Sequence, residues 1–314
     1  MTSQAISEVR PMDRIERYRR AERAVWDHYG LDPTERFVEV SEPAARIRVV
    51  EVGSGPPLLF AYGTFGGGPA FAALAKALPH YRFVLMDRPG SGLSSAIYYR
   101  TDTFGQVVGD VQSQVLDGLS LERVDVVGHP IGDLFALRLA QRHPDRARRV
   151  ILLGAGPIAR DIGVPTPIRL VGSPLGALMV RLMRRRGLVT SMIRGSGHGP
   201  ALADGRIPEV CVDWRTAVNR ETDSMRHERE LVKAIVDGSR YRPGVTLSDP
   251  GLSALEQPTL LLLGSADPVG SRAVWDRVTG ALPRGELVAF EGAGHMVWLD
   301  DPAGLARRME AFLT

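Results

Sequence analysis

The stretch VDVVGHPIGDLFALRLAQRH, residues 124–143, changes character twice in twenty positions. It begins with a short apolar run and passes through Gly128-His129-Pro130-Ile131-Gly132. From there apolar residues recur at helical spacing through Leu134, Leu137 and Ala140. A buried strand, a tight turn and an amphipathic helix follow from this order, because a short apolar run bounded by glycine suits a strand covered on both faces.

Neighbouring segments repeat the pattern. Apolar or alternating runs at 37–40, 45–53, 57–63, 81–90 and 149–157 are separated by helical patterns at 69–78 and 103–119. Strand and helix thus alternate, as in a doubly wound α/β sheet. The first two strands, joined by a short turn, are expected to be antiparallel. Residues 158–250 break the rhythm with an Arg-punctuated apolar stretch, a Gly/Ser/His-rich piece and long polar helices, which predicts an inserted helical cap. The alternation resumes at 258–268, 271–282, 286–295 and 302–313. The expected division is an N-terminal helical extension (1–35), a core (36–157 and 251–314) and a cap (158–250). The helical spacing of Ile15, Tyr18, Ala21 and Val25 gives the extension an apolar stripe that suits either its own sheet or a homodimer partner.

Four motifs fall at strand ends in a fixed order: Tyr62-Gly-Thr64-Phe65-Gly, Asp87-Arg-Pro-Gly-Ser-Gly-Leu-Ser94, Gly128-His129-Pro130-Ile131-Gly132, and the pair Gly264-Ser-Ala-Asp267 with Gly292-Ala-Gly-His295. Together they resemble the α/β-hydrolase superfamily, in the branch with a helical cap, over roughly residues 36–314. The resemblance implies an α/β-hydrolase fold with a mostly parallel central sheet. It implies an acid–histidine pair in Asp267 and His295, and an oxyanion site offered by the N–H groups of Thr64 and Ile131. Tyr62, Phe65, His129, Trp214 and Met296 are expected to line the pocket. At the nucleophile position of the family's G-x-S-x-G elbow this chain has Pro130.

Proline has no hydroxyl and fixes φ near −65°, so both the nucleophile and the positive-φ elbow should be lost. A histidine oriented by a carboxylate can still move protons. The expected function is therefore cofactor-independent acid/base chemistry (elimination, isomerisation, cyclisation or C–C cleavage) on a small, uncharged, carbonyl-bearing substrate. The alternatives are hydrolysis of an ester, lactone or epoxide by His-activated water, and ligand binding without catalysis. Asp133 in the first helical turn suits the helix dipole, Cys211 a small buried hydrophobe, and Arg184–Arg186 a solvated helix end.

Composition excludes other classes. Acidic and basic residues number 36 and 39 over 314 positions and are interspersed, giving a net charge of +3, so a nucleic-acid partner is not expected. One cysteine supports neither a disulfide framework nor a thiolate metal site. The glycines at 63–68 lack the Gly-Lys-Ser/Thr ending of a phosphate loop. No metal or cofactor is expected, nor any membrane association, and a cytoplasmic location is the default.

Overall fold

The computed structural model describes residues 11–63 and 66–314. Helix α1 (Pro11–Tyr29) leads into an antiparallel hairpin of β1 (Thr34–Ser41) and β2 (Ala44–Val52). The chain then runs through β3 (Pro57–Tyr62), α2 (Ala72–Ala77), β4 (Arg82–Met86), α3 (Phe104–Gly118), β5 (Val124–His129), α4 (Ile131–Arg142) and β6 (Ala147–Leu153). Six helices follow: α5 (Thr166–Gly172), α6 (Gly176–Leu182), α7 (Arg186–Ile193), α8 (Gly199–Ala203), α9 (Glu209–Glu221) and α10 (Ser224–Ile235). A small hairpin of β7 (Val236–Asp237) and β8 (Arg240–Tyr241) and helix α11 (Asp249–Ser253) return the chain to the sheet. It closes with β9 (Thr259–Gly264), α12 (Arg272–Ala281), β10 (Gly285–Phe290), α13 (Val297–Asp300) and α14 (Pro302–Leu313).

Eight strands form one sheet in the order β1-β2-β4-β3-β5-β6-β9-β10. The hairpin strand β2 runs antiparallel to β4, and all pairs from β4 to β10 are parallel. Strand order reverses between β3 and β5, so their carboxyl ends open a crevice there, the usual ligand position in such sheets. The central strands are largely apolar because helices cover both faces: every residue of β5 and of β9 is buried, Asp125 and His129 included. Gly132 permits this closeness, since a Cβ there would lie 1.9 Å from the Ala61 carbonyl oxygen.

Helix α1 packs on its own chain, against α9 of the cap and against α2. A buried polar chain ties it to the sheet. Glu22 receives two hydrogen bonds from Arg48, at 2.6 and 3.0 Å, and Arg48 also reaches Asp87 at 3.3 Å. Burial pushes the Glu22 carboxyl up despite this guanidinium, so the pair is coupled and desolvated. No helix among the described residues is long and apolar enough to cross a membrane.

Candidate active site

Strands β9 and β10 end beside each other, and their following loops bring Asp267 and His295 together. His295 Nδ1 lies 2.8 Å from Asp267 Oδ2. The same oxygen accepts the Ala155 N–H at 3.0 Å, and Oδ1 accepts the Val269 N–H at 2.9 Å. With three donors, the carboxylate cannot rotate freely, and the imidazole proton is held at Nδ1. Nε2 of His295 is then the acceptor.

Pro130 stands between β5 and α4 with φ −73° and ψ −42°, in the right-handed helical region, and is the N-cap of α4. The Asp133 N–H donates to its carbonyl at 3.1 Å, closing the first turn. There is thus no positive-φ elbow here; the chain enters the helix directly, as the ring demands. On the other side Gly63 abuts the ring: a Cβ at Gly63 would lie 2.3 Å from Pro130 Cδ. Ile131, first residue of α4, is buried, and its N–H belongs to the helix end that favours negative charge. The companion donor expected at Thr64, and the expected pocket residue Phe65, lie outside the described residues.

His129 is brought beside the pair, its ring centroid 4.9 Å from that of His295 and 4.7 Å, edge-on, from Trp298. Its Nε2 is buried without a hydrogen-bond partner. Burial, then the nearby His295 and Arg215, push its pKa well below the ordinary imidazole value, so His129 is a neutral ring at pH 7. Trp214 and Met296 border a small pocket with Arg215, Cys211, Ile193 and Leu299. Its volume of about 20 Å³ is little more than one water needs.

Two expectations are corrected. Tyr62 does not offer its hydroxyl to the pocket; it is buried and bonds Asp87, joining the Arg48 chain beneath the crevice. Asp133 is no solvated capping acid. It is fully buried, makes no capping bond, and neither carboxyl oxygen has a partner. Burial, and then the charge of Asp267, push its pKa well above the ordinary carboxylate range, favouring the protonated form.

Sequence reasoning missed two further residues. His198, in a distorted turn (Arg194–His198) between α7 and α8, is fully buried. Its Nδ1 lies 2.8 Å from Asp300 Oδ2, and its Nε2 accepts the Met296 N–H at 3.0 Å. The His295 N–H donates to the Ser196 carbonyl at 2.9 Å, so this turn clamps the cap onto the histidine loop. Gly197 makes the fit possible, with φ +91° and a would-be Cβ 2.7 Å from the Ala266 carbonyl oxygen. The second residue is Arg215 on α9. It has no carboxylate within ion-pair distance among the described residues, only Met296 Sδ at 3.3 Å, and burial lowers its pKa to about 10. An isolated arginine in a sea of arginines gives no sequence signal; the Gly-Ser-Gly-His run around 198 was the visible trace of the clamp.

Comparison with known proteins agrees with the sheet order. The family model described as alpha/beta hydrolase fold matches residues 56–185. The chain is 26% identical over 287 residues to an uncharacterized protein of Mycobacterium tuberculosis, covering 90% of this chain and 81% of that one. It is likewise 26% identical over 293 residues to the 2-hydroxymuconate semialdehyde hydrolase of Pseudomonas sp. strain CF600, covering 88% and 93%. Among solved structures, carboxylesterase CesB from Bacillus subtilis superposes with a TM-score of 0.72 at 15% identity, covering 96% of this chain and 98% of that one. Sheet order, the family match over residues 56–185 and structural likeness together show that this chain has an α/β-hydrolase fold.

Proposed function

We propose that this protein is an enzyme that works without a covalent nucleophile, using the His295–Asp267 pair to move protons on a carbonyl-bearing substrate whose anionic group is held by Arg215. The observation that carries the proposal is the coexistence of a fully oriented imidazole, Nδ1 2.8 Å from Asp267, with a helical proline where an attacking side chain would stand. His295 Nε2 takes a proton from the substrate or from water, and the Asp267 carboxylate stabilises the imidazolium that results. The Ile131 N–H at the α4 terminus is the donor assigned to a substrate carbonyl in this proposal.

Sequence alone suggested an uncharged substrate. A half-buried guanidinium at the site without a carboxylate partner is completed by an anion, which favours a substrate bearing a carboxylate or enolate. C–C cleavage suits both features, and a relative is named for hydrolysis of 2-hydroxymuconate semialdehyde. In that reaction water must attack a carbonyl, so the second reading, water activated by His295, shares the same residues. The test is turnover of 2-hydroxymuconate semialdehyde and of a panel of activated esters, with His295→Ala run beside the wild type. We expect turnover of the dienoate that falls roughly 10²–10⁴-fold in the variant. Activity equal in both proteins would end the proposal; ester turnover lost in the variant would select water-mediated ester hydrolysis instead.

A further inference from the structure

We propose that the outer face of the cap, built on α5 and α6, docks on an anionic lipid bilayer surface. Residues 162–203 contain no aspartate or glutamate but six arginines, in a chain whose acids and bases otherwise nearly balance. Arg186 turns to Glu209 and Asp213. Arg169, Arg181, Arg184 and Arg185 are exposed, and none has a carboxylate within ion-pair distance among the described residues; Arg184 reaches only the Arg220 carbonyl.

Among these cations stand Leu170, Leu175 and Leu178, which are 38%, 64% and 55% exposed. A lone exposed leucine needs no explanation, but three on adjoining helices inside a cationic fringe form a surface with a definite complement. Leucine side chains enter the boundary between headgroups and acyl chains while arginines pair with lipid phosphates, as in helices that lie in a bilayer interface. Each near-surface arginine adds roughly a fivefold gain in partitioning to anionic lipid, screened by salt. A second copy of this chain is a poor occupant, because joining two such faces would set eight unpaired guanidinium groups against one another. The sequence reading expected no membrane association because no long apolar stretch occurs and Arg184–Arg186 suited a solvated helix end; the structure adds that three leucines stand exposed in the same acid-free segment.

The experiment is co-sedimentation of the full chain with phosphatidylcholine vesicles, alone or containing one part in three phosphatidylglycerol, at low salt and at about 0.5 M NaCl. Binding to the anionic vesicles is expected, at least ~10-fold weaker on phosphatidylcholine alone and in high salt. The double variants Leu175→Asp/Leu178→Asp and Arg181→Gln/Arg185→Gln should each weaken it by ~10-fold or more, with thermal midpoint unchanged. No binding, binding indifferent to lipid charge, or binding untouched by both double variants would overturn the proposal. So would a dimer in sedimentation velocity that Leu175→Asp/Leu178→Asp disperses, which would give the face to a second copy.

Discussion

At residue 130 the geometry argues that serine by itself would not make a nucleophile. Beyond the ring itself, the helical φ and ψ there are held by the Asp133 N–H bond to the residue 130 carbonyl, a backbone bond that a serine keeps. A Pro130→Ser variant should therefore form no adduct with a fluorophosphonate probe by intact-mass measurement; stoichiometric labelling would show that the elbow reforms. Asp133 supports a second expectation. Its folded pKa is raised above its unfolded value, so the native state holds the extra proton between the two, and stability falls as pH climbs through that window. Asparagine keeps the shape and has nothing to titrate. Asp133→Asn should accordingly raise the thermal midpoint at pH 7, with the gain shrinking as pH falls toward about 3.9, the value of a solvated aspartate. A destabilised variant at pH 7 would mean that the carboxylate is ionised and paired in solution.

At the scale of elements, the turn between α7 and α8 joins cap to core through polar bonds that are almost all buried. The His198 ring spans Asp300 and the Met296 N–H, while burial alone would raise the Asp300 carboxyl but His198 and the Gly294 N–H hold it low. Replacing His198 by alanine leaves that carboxylate without its neighbour and the Met296 N–H unsatisfied. A loss of about 1–3 kcal/mol in denaturant unfolding is expected, together with weaker turnover, because the loop carrying His295 is no longer clamped. Unchanged stability would mean that the turn is not a clamp. The sequence reading had a Gly/Ser/His-rich stretch where α7 and α8 stand and did not locate these two helices. Nor could it show that the short Gly-rich bend between them was the joint, because the partners, Met296 and Asp300, lie about a hundred residues further on.

At the scale of the whole molecule, cap and core share their interiors. Trp214 and Val218 of the cap helix α9 are buried with Phe60, Leu85 and Trp298, and Leu231 and Ile235 of α10 are buried with Leu134 and Leu152. Helix α1 joins both through Tyr18, Val25 and Trp26. Calorimetry should show one unfolding transition; a separate one for residues 158–250 would mean that the cap is a domain of its own. The sheet, its parallel run and the order of its motifs were legible in the sequence, because burial on both faces writes itself as apolar strands and tight strand-end turns demand glycine. Asp267 and His295 were legible as a pair because each follows a strand that must end at the same edge. The raised carboxyl of Asp133, the absence of a carboxylate beside Arg215, the Tyr62–Asp87 bond and the His198 clamp were not. Each depends on how much water a side chain keeps and which distant group reaches it. Local pattern sets which face of an element turns inward; only the packed chain sets what that face meets.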